Sequence, residues 1–394
     1  MRSSPQNAST ILAVAMRQCH RLIDRYRKFI VRVLMLSKAC IVGIYQRKLE
    51  YMAHSGIELL VAVPPSWRDE RGETMLERVY TQGYDLHVTP IRFNGNFHTH
   101  YYPELPKLIQ RFQPQLIHID EEPYNAATWH ALYAAKQARA QTLFFSWQNI
   151  ARRYPPPFRW GEAWVCRHVQ GAIVGTESAG EVWRSKGYHG AMAVIPQFGT
   201  DEQLFTPSDS RPARPFTVGF VGRLVPEKGV DQLLTALHGL QADWQVEVVG
   251  GGTQQAELLQ LAQRLGISER VRFTRQLPSL EMPNTYRRFD VLVLPSLTRP
   301  NWKEQFGRVL VEAMASGVPV IGSDSGAIPD VIGEAGLIFP ENQPSALRDA
   351  LQRLHDQSTL YATLCEAGRA RVLSHFTHAQ IAQQTVAFYE QITG

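Results

Sequence analysis

The sequence has 394 residues, 44% of them hydrophobic and 20% charged, the balance of a globular chain rather than a disordered or fibrous one. That length predicts two domains. The apolar stretch at residues 11–16 falls far short of the roughly 18 residues of a membrane-spanning helix, and the arginines directly after it leave no signal-peptide layout. Four cysteines, Cys19, Cys40, Cys166 and Cys365, lie far apart with no CxxC pair, which speaks against a zinc site or disulfide framework and fits a reducing cytoplasm. The net charge of +5 suits anionic partners, either phosphorylated substrates or an acidic membrane face. No zinc finger or RNP-like motif is present, so no nucleic acid is expected.

Taken in chain order, residues 1–30 stand apart. Leu12, Met16, Cys19, Ile23, Tyr26 and Ile30 fall on one helical face, with Arg17, Arg21, Arg25 and Lys28 opposite. Such a basic amphipathic extension suits an anionic membrane surface through residues 11–30, or else a helix packed on the first domain. Residues 31–36 (VRVLML) then read as a buried parallel strand. A helix over 45–55 follows, and a strand over 57–63 closed by Pro64 and Pro65. The alternation continues with helix 105–112, strand 116–119, helix 126–137 and strands 142–146 and 171–174, the pattern of a parallel α/β sheet. Residues 196–215, rich in proline, serine and charge, read as a linker. Strands at 216–221, 244–249, 271–273, 291–294 and 318–321 restart the pattern, with helices over 307–315 and 345–354. A last helix over 379–392 is long enough to cross back onto the first domain.

The strongest constellation lies in the second half. FVGRLVPEKGV (residues 220–230) ends a strand with Gly222, where backbone can approach closely, and sets Arg223 and Lys228 at the carboxyl edge of the sheet. Arginine engages phosphate bidentately and lysine adds a compact charge, so the pair suits a pyrophosphate. Residues 304–332 (EQFGRVLVEAMASGVPVIGSDSGAIPDVI) add Glu304 in a loop, Phe306 and Gly307 at a helix start, and Glu312 eight positions after Glu304. A glycine-opened helix end offers N–H groups to an anion or a sugar hydroxyl. The two carboxylates can accept hydrogen bonds from sugar and ribose hydroxyls.

On these residues the chain resembles family 4 of the retaining glycosyltransferases, with the E-x-F-G-x-x-x-x-E-A and G-x-P-V pattern in Glu304, Phe306, Gly307, Glu312, Ala313, Gly317, Pro319 and Val320. Val221, Gly222, Arg223, Leu224, Lys228 and Gly229 match the upstream V-G-R-L-x-x-x-K-G signature. The resemblance implies an α/β fold of GT-B type, with two Rossmann-like domains facing each other across a cleft. It implies an acceptor domain over 31–200 that includes the last helix (379–394), a linker over 201–215 and a donor domain over 216–378. Arg223 and Lys228 would bind the donor diphosphate, Glu304 would hold the donor sugar near its anomeric carbon, and Glu312 would bind the ribose. No cofactor or metal is expected, because fixed cations take the place of a divalent ion. Where the family usually has a glycine pair, the chain has Gly326-Ala327.

The first domain is less typical. The glycine-rich loop after the first strand is thinned to residues 38–43, leaving Gly43. A histidine that the family often uses against the donor sugar is replaced by Trp147, Gln148 and Asn149, of which Gln148 or Asn149 can contact a hydroxyl but not act as base. The acidic run Asp120-Glu121-Glu122 reads as lining the acceptor side or capping a helix rather than as a metal site. Residues 152–160 mix cations with aromatics around prolines, as acceptor-binding or membrane-proximal surface or as a packed loop, and His98, His100 and His118 read as ordinary. The expected function is transfer of a hexosyl unit from a nucleotide sugar to a glycan, lipid-linked or small-molecule acceptor, in the cytoplasm or at its membrane face. The alternatives are a sugar-nucleotide epimerase or hydrolase, and a non-catalytic donor-binding scaffold.

Overall fold

The computed structural model describes residues 31–69, 72–208, 214–278 and 281–394. The stripe expected over residues 11–30 and the linker residues 209–213 lie outside the described residues. Seven parallel strands form the first sheet, in the spatial order Asp85–Val88, Glu58–Val63, Arg32–Leu36, Leu116–Ile119, Gln141–Ser146, Gly171–Val174 and Ala191–Val194. Six more form the second: Val271–Thr274, Trp244–Val249, Phe216–Val221, Val291–Leu294, Val320–Ser323 and Leu337–Phe339. In both, the first strand in sequence is central and the chain winds outward on either side of it. That is the doubly wound arrangement, and ligands bind where the winding reverses, outside the carboxyl ends of the strands.

The inner strands are continuous apolar runs because helices cover both faces: Val33 to Leu36 and Val291 to Leu294 are buried throughout. The last helix, His378–Thr393, does return to the first domain. Its Ile381, Val386 and Tyr389 join Val33, Met35 and Leu143 in one core, and the Tyr389 hydroxyl bonds His118 Nδ1 at 2.6 Å.

Some elements were illegible in sequence. The hairpin Ser66–Asp69/Gly72–Met75 carries a second strand exposed along its whole length, so no apolar alternation marks it. The strand expected at 318–321 begins later, at Val320, because Gly317 turns at φ 70° and Pro319 follows it. The helix expected from 307 begins at Arg308, with Gly307 left-handed at its cap (φ 75°).

His378 is buried at the start of the last helix. Burial first, and then Arg308, Lys48 and Arg47, push it down to about 3. An unfolded chain protonates histidine near pH 6.5, so below that pH the unfolded state binds the extra proton and the contribution of neutral His378 to stability falls. The stability difference between wild type and His378→Gln is therefore expected to change by about 1 kcal/mol per pH unit below 6.5, at the wild type's expense. Melting curves at pH 7.5 to 5 check this; a pH-independent difference contradicts it.

Candidate active site

The second sheet's first strand runs into Gly222, whose N–H bonds the Val249 carbonyl at 3.0 Å. Arg223 therefore leaves the sheet at its carboxyl edge, 59% exposed and only loosely paired with Glu227 at 3.7 Å. The chain then makes a short 3-10 turn, Pro226–Lys228, closed by Gly229 at φ 63°. Only glycine fits there, since a Cβ would lie 2.0 Å from the Pro295 carbonyl oxygen at the end of the neighbouring strand. That close approach brings Lys228 Nζ to 2.5 Å from Glu304 Oε2, over the Trp302 ring at 5.1 Å. Ser296 Oγ donates to the same carboxylate oxygen at 2.7 Å.

Glu304 is pinned through its backbone as well. Its carbonyl accepts from Ala327 N at 3.1 Å and, across the cleft, from Asn149 Nδ2 at 3.0 Å. Gly326 sits beneath it at φ 58°, where a Cβ would lie 2.2 Å from the Glu304 oxygen. The Gly326-Ala327 variation thus keeps glycine where approach is closest, and Ala327 is buried with its N–H in use.

Helix Arg308–Ala315 presents Glu312, which accepts from Arg308 Nε at 2.8 Å and from the Tyr286 hydroxyl at 2.7 Å. Burial, and then the charge of Glu312, raise the Tyr286 phenol well above its usual range, keeping it a donor. A recess of about 280 Å³ has Gly222, Arg223, Gly250, Leu277 and Glu312 in its wall. The structure thus brings Arg223 and Glu312 to one recess and joins Lys228 to Glu304 at the neighbouring strand end. Phe306 lies between Trp147 (5.6 Å) and Phe376 (5.8 Å), and so ties the domains together.

In the first domain the N–H of Gly43 bonds Glu77 at 2.7 Å, and a Cβ there would meet Val79 at 2.3 Å. The acidic run divides into three separate roles. Asp120 accepts from Ser37 (2.5 Å) and Gln197 (2.9 Å). Glu121 is buried yet held down to about 2, since Lys38 and His100 outweigh the burial that opposes its charge. Burial pushes Glu122 up to about 7, even though Ser146 Oγ (2.6 Å) and Trp147 N (2.9 Å) donate to it. None of the three caps the next helix, whose cap position is Asn125. Residues 152–160 are mixed in character: Arg152 bonds the Asn301 carbonyl across the cleft, Tyr154 packs on Tyr124 at 4.4 Å, and a helix begins at Phe158.

Sequence reasoning passed over Arg308, whose Nη1 donates to the Tyr45 hydroxyl of the first domain at 2.6 Å. Its spacing of four before Glu312 was the available signal.

Two facing doubly wound sheets, with cations and carboxylates gathered at the edge of one, define an α/β protein of the GT-B architecture. A family model described as Glycosyltransferase Family 4 matches residues 46–198, and one described as Glycosyl transferases group 1 matches residues 202–371. The chain belongs to the family 4 glycosyltransferases, in the group 1 class. A D-inositol 3-phosphate glycosyltransferase of Corynebacterium jeikeium is 36% identical over 187 residues, 42% of this chain and 43% of the relative. A GDP-mannose-dependent alpha-(1-6)-phosphatidylinositol monomannoside mannosyltransferase of Mycolicibacterium smegmatis is 34% identical over 163 residues, 40% of this chain and 43% of the relative. The chain spans about half the length of the curated relatives it matches. In fold it is similar to HepE of Anabaena in complex with UDP, with a TM-score of 0.69 at 18% identity, covering 92% of this chain and 100% of that one. It is also similar to a sucrose-phosphate synthase of Thermosynechococcus elongatus, with a TM-score of 0.64 at 24% identity, covering 92% and 99%.

Proposed function

We propose that the protein is a retaining glycosyltransferase that moves a hexosyl unit from a nucleotide sugar to a glycan or lipid-linked acceptor without a divalent metal. The observation that carries this reading is the Lys228–Glu304 pair at 2.5 Å, beside a recess that holds both Arg223 and Glu312. The recess takes the nucleoside, with Glu312 on the ribose diol. Arg223 and Lys228 take the diphosphate, and Glu304 takes a hydroxyl of the donor sugar. As the glycosidic bond breaks, the leaving diphosphate gains negative charge. Cations aimed at it then stabilise the transition state more than the ground state. With Gln148 and Asn149 in place of a histidine, neither side chain removes the acceptor's proton; the leaving phosphate takes it on the same face, which gives retention.

The relatives named for inositol phosphate and phosphatidylinositol mannoside support a polar or lipid-borne acceptor. No helix among the described residues is long and apolar enough to cross a membrane; we place the enzyme in the cytoplasm, at the membrane face through residues 11–30. His100 and Glu121 face each other at 3.4 Å in full burial, which leaves them unavailable as the acid and base of an epimerase.

Binding of the matching nucleoside diphosphate at a hundred times its Kd is expected to add about 2.7 kcal/mol of stability, read by thermal shift across UDP, GDP and ADP. Nucleotide release from the corresponding sugar donor is expected to continue in excess EDTA. Full loss with EDTA, restored by magnesium or manganese, overturns the metal-independent reading. Turnover of the donor to its epimer would do the same for transfer.

A further inference from the structure

Gln148 follows the strand Gln141–Ser146 and is 6% exposed. Lys186 Nζ donates to its Oε1 at 2.8 Å and is itself held by Glu162 at 2.6 Å. A lysine only donates, so the orientation of the amide is fixed and Nε2 is the free donor. That Nε2 is buried with no partner among the described residues, a costly state for a protein to retain. Gln148 lines a recess of about 170 Å³ between the domains. Glu122 lines it too, and one hydroxyl ties the two together: Ser146 Oγ donates to Glu122 and accepts from Gln148 N at 3.0 Å. Tyr154 and, from the second domain, Trp302 supply ring surface. Residues 303 and 305 in the wall flank Glu304 in sequence, and the wall residue Trp302 has Lys228 Nζ, the partner of Glu304, over its ring at 5.1 Å.

We infer that this recess is the acceptor subsite and takes a neutral sugar ring, Gln148 Nε2 donating to one ring hydroxyl and Glu122 accepting from its neighbour. The inference rests on the transferase reading and names its acceptor class. A free donor next to a carboxylate complements a diol, while ring faces suit the apolar face of a sugar. Among the described residues nearby, Lys186 is paired with Glu162, Arg152 bonds the Asn301 carbonyl, and Lys303 is exposed at the rim of the wall. The Glu122 carboxylate in the wall disfavours a phosphate placed beside it, since like charges brought close together repel.

The test uses the full chain with the nucleoside diphosphate that stabilises it. Saturation-transfer NMR then measures binding of octyl α-mannoside, octyl β-glucoside and mannose 6-phosphate. An octyl glycoside is expected to bind and the phosphate not to. Gln148→Glu keeps the Lys186 contact but removes the N–H donor, and Gln148→Leu and Glu122→Gln alter the pair further. Each is expected to weaken glycoside binding at least tenfold while the nucleotide-induced melting shift persists. The subsite is overturned if neither glycoside binds a nucleotide-stabilised protein, if the phosphate binds in preference, or if the Gln148 variants bind as the wild type does. Absence of any nucleotide-induced shift in the wild type instead removes the transferase reading, and the subsite with it.

Discussion

Replacing Lys228 with alanine is expected to lower kcat/KM for donor-dependent transfer by about a hundredfold or more. A hydrogen bond to a charged group is worth roughly 1.5–3 kcal/mol, which alone gives about ten- to a hundredfold in rate. The further loss comes from Glu304. Its side chain is 9% exposed, and without Lys228 at 2.5 Å it keeps, among the described residues, only the Ser296 hydroxyl. Breaking a buried pair by removing one partner costs about 3–5 kcal/mol, so the melting temperature should fall with the activity. Arg223→Ala provides the contrast. Its side chain is 59% exposed and 3.7 Å from Glu227, so the fold loses little while the proposed diphosphate site loses a cation. Its melting curve should match wild type with activity about tenfold down or more. Steady-state kinetics and thermal melts of both variants decide it. Equal activity of Lys228→Ala and wild type removes Lys228 from the site.

Gly326→Ala is expected to be strongly damaging although it adds a single methyl. At φ 58° a side chain is strained, costing about 1–3 kcal/mol, and the new Cβ would lie 2.2 Å from the Glu304 carbonyl oxygen and 2.9 Å from its nitrogen. Both are backbone atoms, so no rotamer relieves the contact. Glu304 must shift, taking with it the bonds its carbonyl accepts from Asn149 and Ala327. A loss of about 3 kcal/mol lowers the melting temperature by roughly 6–12 °C in a domain of this size, and activity should become undetectable. The adjacent Ala327→Gly is the control: it keeps the N–H bond to Glu304 and removes only a buried methyl. A Gly326→Ala protein with wild-type melting and activity shows that the loop accommodates the methyl.

How much of this was legible in the sequence depended on the physical signal each part left. The strands around Val33 to Leu36 and Val291 to Leu294 announce themselves because burial on both faces makes them continuous apolar runs. Arg223, Lys228, Glu304 and Glu312 were readable because loop and helix spacings fix them near one sheet edge, where Lys228 contacts Glu304 and Arg223 and Glu312 line one recess. The close packing of Gly43 against Val79 left no signal of its own, since Val79 lies more than thirty residues away in the chain. Phe306 likewise serves the domain contact through Trp147 and Phe376. The link from Glu122 through Ser146 to Gln148, and the Arg308–Tyr45 bond, join residues far apart in the chain, where one sequence carries no pairing signal.

The most direct measurement is the structure of the full chain crystallised with the nucleotide sugar it turns over. The ribose is expected within hydrogen-bond distance of Glu312, the diphosphate between Arg223 and Lys228, and the sugar against Glu304, with the Lys228–Glu304 contact reorganised around it. A donor bound elsewhere, or one touching only one of these four side chains, contradicts the account.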